Sequence, residues 1–313
     1  MTPTPSSPPA SIRIGTRGSA LALAQTGTIA ASLAAKSGRN VDIVTVTTLG
    51  DRSKESLASL GGTGVFAGAL RESLLAAECD AIVHSLKDLP TAPFEGLVIA
   101  AIPQRADARD ALCARDGLTL DTLPSGARVG TGSPRRQAQL RARRPDIEVV
   151  DIRGNVDTRL ARVGDDLDAV VLAAAGLGRL GRLGVVTEFL GIEGWPTAPG
   201  QGALAVEVRT GEENLASAID HRTTRIIVEA ERAVLAILEA GCAAPIGANA
   251  FIDDDMLFLS ARVYSPQGIE RLTSSHALYL SDTDNPSAQI AARVASELLA
   301  AGAAEFAPLG SSS

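Results

Sequence analysis

The first two thirds of the chain alternate short apolar runs with helically spaced segments, and this rhythm limits the fold more than any single motif does. "SIRIG" reads as a strand, followed by a helix from about Ser19 to Lys36. "VDIVTVTT" is a second strand, "FAGALRESLLAAE" has helical spacing, and "AIVHSL", "LVIAAIP" and "ALCA" are further strands. "ARVGTGS" is a strand ending at a cap, and "PRRQAQLRARR" is the helix after it. "IEVVDIRG", "NVDTRLARV" and "AVVLAAAGL" repeat strand, helix, strand. This alternation predicts α/β architecture with largely parallel sheets.

The style changes near Trp195. "GWPTAPGQG" is dense in glycine and proline and reads as a crossing or hinge segment, with "ALAVEVR" a strand beyond it. A long helix from about Thr224 to Ala240 is expected to stop at Gly241, because glycine adopts the left-handed cap without strain. "ANAFIDDDMLFLSARVYSPQGIERLTSSHALYL" reads as antiparallel strands joined by turns, and a last helix runs from about Pro286 to Ala304. Two α/β domains and a smaller α+β domain are expected, with no internal repeat. The start, "MTPTPSSPPA", lacks the basic and apolar regions of a signal peptide; it and "LGSSS" predict short disordered tails.

Charge is unevenly spread along this frame. The whole chain carries a net −7, which disfavours a general nucleic-acid binder, as does an aromatic content of 3%, too low for base stacking. Between Arg105 and Arg182, however, 14 arginines face 11 acids, while the remainder has 15 bases and 25 acids. An arginine-rich island in an acidic chain suggests a local anionic ligand, although most of these arginines fit a surface of paired charges equally well. No apolar run reaches the ~18 residues of a membrane helix. Cys79, Cys113 and Cys242 are far apart, with no CxxC pair and no cysteine–histidine cluster, so a zinc site, a disulfide framework and any other metal centre are not expected. A cytosolic protein is expected.

Three strand ends lead into capped helix starts. In "VGTGSPRRQAQL" Ser133 suits the N-cap and Pro134 the first helical position. Arg135 and Arg136 then oppose a helix dipole already positive at that end, a conflict that a docked anion resolves. "DIRGNVDTR" repeats the design with Arg153, Asn155 and Arg159, and "GTRGSALALAQ" with Arg17 and Ser19. Three such turns in one α/β chain suggest a ligand with several negative groups at the carboxyl ends of the strands; carboxylates and phosphates both fit.

In "HSLKDLP", Lys87, one of three lysines in the chain, precedes Asp88 just after an apolar strand. A strand-end carboxylate beside cations can stabilise a cationic intermediate, and a surface ion pair would look the same. "SLGGTGVF" is not a Walker loop and reads as a lid or a plain flexible loop. Cys242, in "EAGCAAPIG", follows a helix-ending glycine in a run of small residues; alone it is compatible with a buried filler and with an accessible thiol.

"TRGSALAL", "GDRSKESL", "GGTGVF", "HSLKDLP", "GTGSPRRQAQL", "IRGNVDTRL", "AAAGLGRLG", "APGQGALAVEVR" and "GCAAPIG" occur in that order. Together they resemble the porphobilinogen deaminase, or hydroxymethylbilane synthase, family, from Ile12 to about Ala304. The resemblance implies a transferase of haem-type tetrapyrrole biosynthesis that joins four porphobilinogen molecules head to tail and releases ammonia at each step. It implies a dipyrromethane cofactor held by a thioether to Cys242, and Asp88 as the catalytic aspartate steadying a cationic azafulvene. Matching cofactor-binding positions are Lys87, Thr131, Ser133, Arg135, Arg136 and Arg159; matching substrate-binding positions are Arg17, Ser19, Arg153 and Arg179. The implied fold is two doubly wound domains resembling type-II periplasmic binding proteins plus a smaller α+β C-terminal domain. Their expected bounds are 11–102 with 203–215, then 103–202, then 216–313, after a tail over 1–10. A cytoplasmic monomer with no nucleic-acid or membrane partner is implied as well.

The three arginine-bearing turns suit such a substrate, since each porphobilinogen brings two carboxylates and guanidinium forks bind carboxylates bidentately. Two departures stand out. Many family members carry lysines in the lid where this chain has Ser59 and Thr63, so its arginines are expected to compensate. "GTGSPRR" replaces the commoner "GTSSLRR" but keeps the cap and both arginines. A non-enzymatic anion-binding relative would share the arginine turns but has no use for Cys242 or Asp88. A cysteine-nucleophile transferase unrelated to pyrroles would not act on porphobilinogen.

Overall fold

The computed structural model describes residues 11–46, 64–240, 244–307 and 309. Ser59, Thr63, Gly241, Cys242 and the two terminal tails lie outside the described residues. Two compact units emerge. Within the described residues the first runs to His84 and adds Pro93–Pro103 and Leu204–His221. The second takes Ser85–Ala92, Gln104–Ala203 and the chain from Arg222 onward.

The first unit is built on β1 (Ile12–Thr16), β2 (Val41–Thr45), β3 (Ala81–Ser85), β4 (Leu97–Ala101) and β10 (Leu204–Arg209), ordered β2-β1-β3-β10-β4. β1 runs parallel to β2 and β3, and β10 antiparallel to β4. Helix α1 (Ala20–Ser37) starts where the Ser19 hydroxyl accepts the Ala22 N–H at 3.3 Å, satisfying a donor the helix cannot pair itself. Its Ile29 and Leu33 pack with Ile12, Ile14, Ala81 and Val83. Helix α2 (Gly64–Leu75) sets Leu70 and Leu74 with Cys79 and Ile82 in a separate cluster. Alternate strand residues point to opposite faces, so Ile82 and its neighbours Ala81 and Val83 mark two covered faces: the sheet is doubly wound.

The second unit repeats this plan with β5 (Asp110–Ala114), β6 (Arg128–Gly130), β7 (Glu148–Val150), β8 (Ala169–Ala173) and β9 (Glu188–Leu190), ordered β7-β6-β8-β5-β9. β6 is parallel to β7 and β8, whereas β5 runs antiparallel to β8 and β9. In each sheet the fourth place goes to a strand that runs against a neighbour: β10, which returns late in the chain, in the first, and β5, which opens the unit's own stretch of chain, in the second. Helices α3 (Pro134–Arg143), α4 (Val156–Leu160) and α5 (Ala174–Arg179) cover both faces. Leu140 packs with Leu112, Val129 and Val171, and Leu177 with Ala111, Cys113 and Val170.

The same unit carries the α+β part. Strands β11 (Ile246–Asp253), β12 (Met256–Tyr264) and β13 (Arg271–Tyr279) form an antiparallel meander. Helices α6 (Arg222–Ile237) and α7 (Pro286–Ala300) bury Val234, Ile290 and Val294 with Ala248, Leu257, Leu259 and Ala261. A short helix α8 (Ala303–Phe306) follows. The α/β expectation with a smaller α+β part therefore holds.

Several boundaries differ from the sequence reading. "AVVLAAAGL" is strand only to Ala173 and then turns into α5, because its second half is alanine and glycine with no β-branched residue to hold it extended. α4 ends at Leu160, three residues early, and continues as turns. α6 ends at Ile237, and Glu239 already has φ 48, so the left-handed turn comes before Gly241. Gly302, at φ 91, divides the last helix in two. β9 was not predicted: three residues hydrogen-bonded along one edge give no periodic signal. Among the described residues no helix is long and apolar enough to cross a membrane.

Candidate functional site

The predicted residues fall just past the carboxyl ends of parallel strands. Arg17 and Ser19 follow β1, Lys87 and Asp88 follow β3, and Thr131 and Ser133 follow β6. Arg153 follows β7, and Arg179 closes the helix after β8. In open α/β sheets this is where ligands bind, most of all where the chain turns from one side of the first strand to the other, as between β6 and β8. Arg17 and Ser19 belong to the first unit; the other described candidates share the second.

In the second unit the centre is a residue that the motifs did not single out. Asp110, the first residue of β5, is fully buried. Its Oδ2 accepts from Arg135 Nη2 at 2.9 Å and Trp195 Nε1 at 2.9 Å. Its Oδ1 accepts from Arg136 Nη2 at 2.7 Å and Gln201 Nε2 at 2.8 Å. Burial alone would raise this carboxyl, but the Arg135 and Arg136 charges and the hydrogen bonds to Arg136 and Gln201 overcome it and hold Asp110 well below the usual carboxylate range. Part of the anion expected at this helix start is thus the protein's own.

The arginines keep donors in reserve. Arg135 also donates to Gln139 Oε1 at 2.6 Å and to the Pro196 carbonyl at 2.9 Å, and Arg136 to the Val171 carbonyl at 3.0 Å. Both side chains are buried, yet Nε of each has no partner. Burial pushes the Arg135 guanidinium down, against the opposing pull of Asp110. Ser133 caps α3 as expected, its Oγ facing the Arg136 N–H at 3.5 Å, and the Thr131 hydroxyl accepts the Ser133 N–H at 3.3 Å.

Around this centre lie further cations. Lys87 Nζ donates to Gln201 Oε1 at 3.3 Å. Burial pushes its ammonium down to about 8; Asp88 pulls the other way, and Arg136 adds to the depression. Burial also lowers Arg159, and its like-charged neighbours Arg136 and Arg153 lower it further. Arg159 Nε donates to the Gly154 carbonyl at 2.9 Å. Arg153 is exposed. Arg179 Nη2 donates to the Gly202 carbonyl at 2.7 Å, and burial lowers it as well. Asp88 is exposed on a single 3₁₀ turn, Leu86–Asp88, between buried Leu86 and Leu89.

Gln201 joins these groups, contacting Lys87, Arg136, Asp110 and the Ala108 carbonyl from the "PGQG" segment. A Cβ at Gly202 would lie 2.6 Å from the Ala106 carbonyl oxygen, and its φ of 88 suits only glycine easily. The segment's glycines are therefore needed for close backbone approach beside the cations. The roles of Asp110 and Gln201 are not legible in the sequence because their partners lie 25 to 114 positions away; the only local signal is an acid opening an apolar strand in "RDALC".

Family models match most of the chain. One described as "porphobilinogen deaminase, dipyromethane cofactor binding domain" covers residues 12–217, and one described as "porphobilinogen deaminase, C-terminal domain" covers residues 226–300. The porphobilinogen deaminase of Leifsonia xyli subsp. xyli is 60% identical over 311 residues, covering 95% of this chain and 94% of that protein. That of Thermobifida fusca is 52% identical, covering 86% of each. Among solved structures, an ABC-transporter periplasmic substrate-binding protein from Coxiella burnetii aligns with 66% of this chain and 91% of its own, at a TM-score of 0.43 and 14% identity.

Proposed function

The chain belongs to the porphobilinogen deaminase family, and from that premise we propose how its residues divide the work. The chain is a transferase of tetrapyrrole biosynthesis: it condenses four porphobilinogen molecules head to tail into hydroxymethylbilane, releases ammonia, and uses a dipyrromethane cofactor. In the proposed reading Cys242 anchors that cofactor through a thioether. Lys87, Thr131, Ser133, Arg135, Arg136 and Arg159 bind its carboxylates, and Arg17, Ser19, Arg153 and Arg179 bind those of the incoming substrate. When bound, the cofactor supplies the electron-rich pyrrole that primes the chain.

Asp88 is the proposed catalytic residue. Its carboxylate sits beside the substrate pyrrole N–H and offsets the positive charge that develops as ammonia departs. Gln201 and Asp110 orient the cations, so that less reorganisation is needed during each condensation.

One observation carries the assignment: Arg135 and Arg136 are buried with an unpartnered Nε each, and Arg136 and Arg153 both act as like charges on Arg159. An unpaired buried donor and mutual repulsion both cost free energy, and both are relieved when ligand carboxylates arrive. That fits a group carrying several carboxylates. The same reading takes the protein as a cytoplasmic monomer of three domains with no nucleic-acid partner.

The test is intact-protein mass followed by turnover. Purified protein should carry the added mass of two pyrrole units, absent in Cys242→Ser. Asp88→Ala should keep that mass and lose nearly all ammonia release. Unmodified but active protein would refute the anchor, and full activity of Asp88→Ala would refute the role of the aspartate.

A further inference from the structure

The turn that bears Asp88 is held from outside by one side chain that no motif contains. Arg232, on α6, donates from Nη1 to the carbonyls of Leu86 at 2.9 Å and Leu89 at 2.8 Å, and from Nη2 to that of Pro90 at 2.8 Å. These carbonyls bracket Asp88 on both sides. A single 3₁₀ turn has little strength of its own: its internal bond is Leu89 N–H to the Leu86 carbonyl at 3.2 Å, and Ser85 gives it no side-chain cap. The guanidinium fork thus satisfies carbonyls that the turn leaves open and fixes the peptide planes next to the aspartate.

The helix that presents Arg232 is itself immobilised. The preceding residue, Glu231, is fully buried and accepts from Arg105 Nη1 at 2.8 Å and Nη2 at 2.9 Å. It also accepts the Gly200 N–H at 2.7 Å and the Ala250 N–H at 2.9 Å. Consecutive helical residues point about 100° apart, so Glu231 and Arg232 grip different segments from one turn of α6. Glu231 ties the helix to the "PGQG" segment and β11, and Arg232 extends that rigidity to the Asp88 turn. α6 is also the helix that leads, in sequence, toward Cys242.

We infer that Arg232 is a positioning residue for the condensation: it acts through Asp88 by holding the backbone of the 86–90 turn, without touching substrate. The inference rests on the assignment of Asp88 made above. The chemistry requires the carboxylate to stay in register with each pyrrole that arrives, and misplacement by ~1 Å is worth up to about 100-fold in rate.

The test is a double-mutant cycle on cofactor-loaded protein. Arg232→Lys keeps the charge but replaces a planar fork with one ammonium that cannot span three carbonyls. It should retain the cofactor mass and the wild-type melting curve, lower kcat about 10- to 100-fold, and change KM by less than about threefold. Hydrogen exchange should quicken in the 85–92 peptide. In an Asp88→Ala background, followed by slow ammonia release, the same substitution should cost less than about twofold, because the group it positions is gone. Equal losses in both backgrounds, or no loss in either, would overturn the inference. So would loss of the fold in Arg232→Lys, which would make the residue part of the core. If Asp88→Ala were fully active, the assignment of Asp88 itself would fall, an outcome visible before Arg232 is altered.

Discussion

At the residue scale, one buried carboxylate organises the cationic site. Removing water from an ion costs several kcal/mol, and Asp110 recovers this only because four donors converge on it. The basic turns were legible in the sequence because a cap and a basic first turn occupy adjacent positions, as in Ser133 to Arg136. Asp110 was not, because what selects it is a long-range geometry. Lys87 leads to a prediction about pH. Its ordinary value is near 10.4, and in the folded protein it is held down to about 8. Below pH 8 it is charged in both folded and unfolded chains. Between 8 and 10.4 only the unfolded chain holds the proton, so the cost of burying the charge fades as pH rises. Carboxylate binding follows the opposite course, since it needs the charge. In the cofactor-free protein, uptake of the cofactor on incubation with porphobilinogen, read by intact mass, should weaken as pH rises through about 8, and Lys87→Arg should move that limb upward by at least about one pH unit, because a guanidinium stays protonated throughout this range. An alkaline limb unmoved in Lys87→Arg would assign it to another group.

At the element scale, caps and breaks explain what could be read and what could not. α1, α3 and α7 begin at Ser19, Ser133 and Asn285, whose side chains accept N–H groups of the first turn. Such signals are local and chemical, so they survive in the sequence. The end of α6 depends on packing, which local composition does not encode, whereas the switch from β8 to α5 follows the loss of β-branched residues after Val171 within one apolar run. In the first unit, packing also brings three elements onto one ion cluster. Glu207 of β10 accepts from Arg71 of α2 at 2.8 and 2.9 Å and lies 3.1 Å from His84 Nε2 of β3. The Arg71 guanidinium also stacks on the Phe94 ring, 4.5 Å from its centroid. Burial tends to raise the Glu207 carboxyl, but its bonds to His84 and Arg71 prevail and hold it below its ordinary value. The stabilisation is therefore present above about pH 4.3 and is lost as pH falls through the lower folded value. Glu207→Gln should cost about 3–5 kcal/mol at neutral pH, as does breaking a buried pair, and should flatten the acid limb of a melting-temperature profile. An unchanged profile would show that the cluster contributes nothing net.

At the scale of the whole molecule, the sequence rhythm was enough to suggest two wound sheets, because each strand–helix alternation is local. The return of β10 to the first sheet was not visible in the rhythm, since nothing in "ALAVEVR" says which sheet it joins; only the family resemblance implied it. The neighbours of β10 are β3 and β4, about a hundred residues or more earlier in the chain. A chain ending at Ala203 should accordingly fail to fold its first unit, because Leu204, Val206 and Val208 are core residues of that unit. Hydrogen exchange in the 11–46 and 64–84 peptides would check this, and protection there equal to that of the full chain would contradict it. The late arrival of β10 also has a meaning for the ribosome. With elongation at roughly 5–20 residues per second, β4 waits roughly 5–20 s for its neighbour to be made. During that interval an apolar, unpaired strand edge is exposed in the crowded cell, so this enzyme's yield should depend on chaperones that bind nascent chains.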